Sequence, residues 1–312
     1  MAAMWLLFFL PQLTLLTQDV RPVLARYNFR IVTFPEATVA VSLVSDPIKR
    51  ARSLYALYTS LRKEISSKLQ LGYPSSATVV ECATGAQFRS VIRACFGKAP
   101  PDYASAVAIP PSFIFMDRST FLRLEGPELG EILGHEIAHL ILHRSFRWIP
   151  RWLDEGLAMW ASGEPIDRAT LVSVRAWAAR RGIIPIEELQ THFPRRHRRS
   201  AFAYVQSFCL VRYLIERRGG VAAVLKLLEL SQKRRFREAW KLVYGEEPES
   251  TWEQWRVWEA ARFNLATFLY YQLPAFTFPT LLFLVAVIRS RIRRRRFFSE
   301  TEREGDLPGD IP

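Results

Sequence analysis

Cysteine is nearly absent: three residues in a chain of 312 exclude a disulfide-stapled scaffold and leave the redox compartment undecided. No internal repeat is present, and low-complexity sequence is confined to short basic runs. Basic residues are missing from the first twenty positions, and charge of either sign is missing from residues 263–288. Apolar residues are not scarce. They make up 49% of the chain, with 13% aromatic and 23% charged, which excludes a disordered chain and is ample for a buried core. The length corresponds to one large or two small domains.

The formal net charge is +13, so where the charge sits decides what it implies. Six arginines fall in residues 289–296, immediately after the uncharged 26-residue stretch 263–288. A helix rising about 1.5 Å per residue is long enough over that stretch to cross a hydrocarbon core of about 30 Å. Pro274, Pro279, Asn264 and Gln272 also fit a buried core helix, so the stretch is either a membrane span or a core helix, and the arginines favour the span. By the positive-inside rule they place the C-terminus in the cytoplasm. Residues 289–312 hold seven arginines and five acids, which leaves +11 before the span and reads as a topological lock rather than a nucleic-acid site. Residues 1–20 contain an apolar run of signal-peptide length; a signal peptide, an N-terminal anchor and a buried strand are the alternatives.

Between these ends the pattern is α+β: a small mixed sheet with helices, then a mainly helical half, changing near Gly126. Residues 27–35, 38–44, 77–82 and 112–116 are strand-like, rich in β-branched and aromatic side chains. Residues 47–71 carry apolar side chains at helical spacing and stop at Gly72, and 86–95 form a short helix. Helical periodicity then marks 127–143, 151–162, 167–181, 200–218, 220–231, 234–243 and 251–263. The expected organisation is a domain over 27–245, divided at 125/126, a helical connector over 246–262, the span, and a basic then acidic tail.

The chemistry lies where the two halves meet. His135-Glu136-Ile137-Ala138-His139 is an HExxH pattern within an amphipathic helix. With five histidines and 22 glutamates in the chain, random placement would give it in about one chain in 180. Four residues is just over one helical turn, so His135 and His139 share a face and can bind one ion at about 2.0–2.1 Å. Glu136 lies beside them, placed to hold a water rather than the metal. Sixteen positions after His139, Glu155 opens a second helix after a turn over 144–150, and its carboxylate can face both imidazoles. Two histidines and one glutamate leave a tetrahedral position open, as in a catalytic zinc site.

His135-Glu136-x-x-His139 followed by Trp152-Leu153-Asp154-Glu155-Gly156-Leu157-Ala158 resembles the gluzincin metallopeptidases, most closely the bacterial peptidase MA-like family. The segments 203–207 and 211–216 before Gly219-Gly220, and the element order over 47–116, are also similar to that family. The resemblance implies a gluzincin/thermolysin-like fold, Zn2+ bound by His135, His139 and Glu155, Glu136 as general base and then proton donor, and a peptide or protein substrate. It also implies an oxyanion-stabilising Tyr or His further along. Tyr204 is the best-placed match and His192 and His197 are its competitors; an ordinary half-buried aromatic is the other reading of Tyr204.

One position departs from the pattern. Thermolysin-type gluzincins place an aspartate four residues after the ligand glutamate to orient a zinc histidine, and here that position is Met159. The orienting partner stays open between Asp154 and a backbone carbonyl. His143 continues the four-residue series but is not a metzincin third ligand, which would fall at Ser145. The strands near 104–109 or 112–116 offer either a substrate-binding sheet edge or core strands. Cys82 and Cys95 have the option of pairing across a strand and a helix if the domain is external, and Cys209 reads as a buried thiol. The basic runs 195–199 and 233–237 read as solvated faces, with anionic lipid or acidic substrate as the alternative.

Overall fold

A computed structural model describes residues 19–42, 44–72, 76–100, 104–121, 126–191, 193–194, 197–265, 267, 283 and 285–290. By its contacts the chain falls into two units, Met1–Ala261 and Arg262–Pro312. In the second unit residues 285–290 are helical. Most of the expected span 263–288 and of the tail 289–312, and residues 1–18, lie outside the described residues. Among the described residues no helix is long and apolar enough to cross a membrane.

The first unit opens with a short helix α1 (Arg21–Arg26), then strands β1 (Phe29–Thr33) and β2 (Ala37–Ser42), helix α2 (Pro47–Leu69), strand β3 (Ala77–Cys82) and helix α3 (Gly85–Phe96). Strands β4 (Ala106–Ile109) and β5 (Phe113–Asp117) follow, then a single turn α4 (Arg118–Phe121). The sheet order is β1-β2-β3-β5-β4. The three inner strands are parallel and the two outer ones antiparallel to their neighbours.

Side chains alternate across the sheet, as the period of two requires. Val39, Val41, Val79, Ile114 and Met116 face one core with Leu54, Tyr58 and Ile65 of α2. Ala40, Val80, Phe113 and Phe115 face the other with Phe88, Val91 and Ile92 of α3 and Leu24 of α1. Buried on both faces, these strands read as continuous apolar runs. β4 lies at the sheet's edge, yet all four of its residues are buried, with Ala106 and Ala108 in the core that α5 shares.

Helix α2 starts where Asp46 accepts from the Lys49 N–H and Pro47 occupies the first turn. It ends three residues before Gly72: Gln70 takes the left-handed conformation (φ 53°) and the Leu71 N–H returns to the Ser66 carbonyl at 3.2 Å. All three cysteines are free and buried.

The helical half contains α5 (Gly126–Ser145), α6 (Arg151–Ser162), α7 (Arg168–Ala179), α8 (His197–Arg217), α9 (Gly220–Ser231), α10 (Phe236–Tyr244) and α11 (Pro248–Ala260). α5 is buried all round from Leu133 to Leu142, because it sits between the sheet with α2 on one side and α6 on the other. Two glycines set its neighbours' distances. A Cβ on Gly134 would lie 3.3 Å from Ile65 Cδ1 of α2 and 3.4 Å from Ser162 Cβ of α6; one on Gly156 would lie 2.6 Å from the Ser207 carbonyl oxygen of α8.

Within the segment 246–262, expected as a helical connector, lies α11, which packs in the first unit. Its Glu259 is fully buried between Arg175 of α7 (3.2 Å) and Arg212 of α8 (2.8 Å), and Trp255 is buried beside it. A carboxylate so far from water is stable only because both arginines accompany it.

Candidate metal centre

α5 presents His135 and His139 one turn apart, with their Nε2 atoms 2.9 Å from each other. The chain leaves α5 at Ser145, and Pro150, in an extended conformation (φ −55°, ψ 135°), starts α6 back across it. This return brings Glu155 Oε2 to 3.4 Å from His135 Nε2 and 3.5 Å from His139 Nε2. All three side chains are 1% exposed or less. Ligands at about 2.0–2.1 Å around a tetrahedral ion stand about 3.3–3.4 Å apart. The two glutamate distances match that edge, and the histidine pair needs to open by a few tenths of an ångström.

The hydrogen bonds behind the ligands fix which ring nitrogen faces inward. His135 Nδ1 lies 3.0 Å from Glu164 Oε2, and His139 Nδ1 lies 2.9 Å from Asp154 Oδ1. A carboxylate accepts, so each Nδ1 donates and each neutral imidazole turns its Nε2 lone pair to the centre. Among the described residues Glu155 Oε2 has no hydrogen-bond partner, whereas its Oε1 accepts from Arg151 Nη2 at 2.9 Å. With both imidazoles neutral, three electron-pair donors therefore converge in a buried site, an arrangement that a cation satisfies. The donor set fits a metal ion.

The local charges and burial shift His135, His139, Glu155, Asp154 and Glu136. Burial opposes the charge on His135, yet Glu155 and Glu164 outweigh it and hold its pKa above the ordinary value. Burial also opposes the charge on His139, and Asp154 and Glu155 more than offset it. Against burial, Arg151 and the two histidines bring Glu155 down to about 2. Asp154, bonded to His139 and also to His143 Nε2 at 2.9 Å, is held well below the usual carboxylate range despite its burial. Glu136 behaves in the opposite way. Burial pushes its carboxyl up to about 7, although His139, His135 and the Ala108 N–H donating to Oε2 pull the other way. Its Oε1 has no partner and is the free oxygen of the pair.

His135, His139 and Glu155 are thus brought together, with Glu136 next to the first histidine. Of the two partners open for orienting a histidine, Asp154 takes His139, and His143 supports Asp154 from its far side. His139, His143 and Asp154 are themselves close enough to share a cation. That would claim Nδ1 of His139 and detach the carboxylate that orients it. Sequence reasoning missed Glu164. Buried Met159 cannot orient a histidine; Glu164 does so instead, after Gly163 (φ 72°) ends α6 in a left-handed turn. A glycine stop followed at once by an acid was the available signal.

Tyr204 lies on α8 with its ring edge-on to Phe193, centroids 4.8 Å apart, and Phe193 lies 5.3 Å from the guanidinium carbon of Arg151, which pairs with Glu155. Tyr204 therefore stands on the Glu155 side of the centre. His192 and the side chain of His197 lie outside the described residues.

No curated protein matches the sequence. The family model that does match is that of the Peptidase MA superfamily, over residues 129–261, from within α5 to just past the end of α11. The match takes in the HExxH helix, the glutamate helix and the helices packed on them, and residues 129–261 are a Peptidase MA superfamily domain.

Proposed function

We propose that this protein is a zinc-dependent metallopeptidase that hydrolyses peptide bonds, with His135, His139 and Glu155 holding the ion. The observation that carries the reading is the convergence of two Nε2 lone pairs and an unpartnered Glu155 oxygen, all buried, beside a carboxyl poised near neutrality. Two imidazoles and one carboxylate are the donors of a catalytic zinc with one position left open. When bound, the ion supplies a Lewis acid that polarises the scissile carbonyl and lowers the pKa of water to about 7.

The chain's own residues do the rest. Glu136 Oε1 receives the proton of the attacking water and later delivers it to the leaving amine. Asp154 and Glu164 keep both imidazoles in the orientation and tautomer that turn Nε2 inward. Tyr204 offers its phenolic proton to the developing oxyanion.

The reading extends to location: residues 263–288 anchor the enzyme in a membrane, with the catalytic domain outside the cytoplasm and the tail inside. Leu265, Phe283, Val285 and Ile288 in this stretch are exposed, which supports it. Zinc analysis of the purified protein, with cleavage of a peptide library before and after chelation, tests the activity. One zinc per chain and chelator-sensitive cleavage are expected; a metal-free protein that cleaves nothing refutes it. Carbonate extraction of membranes tests the anchor: the full chain stays in the pellet, and release of the full chain refutes the anchor.

A further inference from the structure

Arg151 makes contacts that the ligand set alone does not require. It opens α6, four residues ahead of Glu155, and donates from Nη2 to Glu155 Oε1 at 2.9 Å. Its guanidinium carbon also lies 5.3 Å from the ring centroid of Phe193, which meets Tyr204 edge-on. On a solvated helix surface such a pair contributes a few tenths of a kcal/mol and fixes nothing. Here the carboxylate is 0% exposed and the arginine side chain 14%, so the pair is dry and its geometry is held.

A carboxylate can bind a metal through one oxygen or two. With Oε1 taken by the arginine, Oε2 alone is left turned toward the two Nε2 atoms. We infer that Arg151 is a positioning residue that fixes Glu155 as a one-oxygen ligand. The inference rests on the metallopeptidase reading and deepens it. A guanidinium suits the task because its donors lie in one rigid plane and hold a carboxylate oxygen in a fixed direction, which one ammonium on a flexible stem cannot. Without Arg151 the buried carboxylate turns both oxygens to the cation and fills the coordination position that water needs.

The test uses the full-length protein reconstituted with Co2+, whose visible absorption is strong in four-coordinate sites and weak at higher coordination number. Arg151→Met is expected to keep one Co2+ per chain but lose band intensity. Arg151→Lys, which keeps the charge without the planar hold, is expected to fall between it and the wild type. A merely structural arginine would change stability and leave the spectrum alone. The inference is overturned if folded Arg151→Met, or Arg151→Lys where the first variant does not fold by circular dichroism, gives the wild-type spectrum at full occupancy. Wild-type protein that takes up no Co2+, or His139→Ala that takes up as much as wild type, overturns the metal reading beneath it and the inference with it.

Discussion

Replacing Gly156 with alanine tests whether the close crossing of α6 and α8 holds the centre together. The added Cβ would stand 2.6 Å from the Ser207 carbonyl oxygen, 2.6 Å from Val211 Cγ2 and 2.9 Å from the Ser207 carbonyl carbon. Ordinary contacts begin at about 3.5 Å, so the overlap is about 1 Å, and two of the three atoms are helix backbone that no rotamer change can move. α8 must shift as a body. Overpacking of this kind costs about 1–3 kcal/mol, whereas alanine gains about 0.8–1.0 kcal/mol over glycine in a helix interior. Because backbone atoms are in the clash the upper half of that range applies, and the net expectation is a loss of about 1–2 kcal/mol.

Gly130 is the internal control. It also lies in a helix, α5, but a Cβ there meets nothing within 4 Å, so Gly130→Ala should stabilise the fold by up to about 1 kcal/mol. Equilibrium urea unfolding of both variants, metal-free to keep ion binding out of the comparison, reads the two signs directly. Gly156→Ala as stable as the wild type would refute the reasoning, and so would a Gly130→Ala loss of equal size. The shift of α8 also carries Tyr204 with it, so Gly156→Ala should hydrolyse more slowly even at saturating metal.

Three further outcomes follow from the site. Glu136→Gln keeps the shape and one hydrogen-bond acceptor for Ala108, so it should retain metal and lose hydrolysis; activity within tenfold of wild type would remove Glu136 from the chemistry. In the metal-free protein the Glu136 carboxyl should titrate near 7 by carbon NMR. Because its folded pKa lies above the ordinary 4.5, folding stability should fall as pH rises from about 4.5 to about 7 by about 3 kcal/mol. Glu136→Gln should erase that slope, and titration near 4.5 would contradict the burial argument. Glu164→Gln and Asp154→Asn each remove the charge that holds a ligand imidazole, and each should weaken metal binding about 10–100-fold by chelator competition; unchanged affinity would deny these carboxylates their supporting role.

Long periodic elements were legible in the sequence and short ones were not. α2, β3, α6 and α9 lie within two residues of their expected spans at every end, because each has a stop signal such as Asp46-Pro47, Gly163 or Gly219-Gly220. α1 and α4 are six and four residues long, too short for a 3.6-residue period to register. β4 was readable as a strand near 104–109 but not as the buried edge that donates a peptide N–H to Glu136, since strand order is a tertiary property. The ligand triad was readable because its spacing is local to two helices. Its supports were not. Glu164 acts across 29 residues of sequence, and Arg151 shows its role only once Phe193 is seen beside it. The place of α11 was hidden for the same reason, since the partners of Glu259 lie 84 and 47 residues away.

The central claim, that His135, His139 and Glu155 together hold a catalytic zinc, is tested most directly by an anomalous difference map recorded at the zinc edge from crystals of the purified full-length protein. The account predicts one peak bonded to His135 Nε2, His139 Nε2 and Glu155 Oε2, with Glu155 Oε1 still on Arg151. A peak held instead by His139 Nδ1, His143 and Asp154, or zinc-soaked crystals with no peak at the triad, would contradict it.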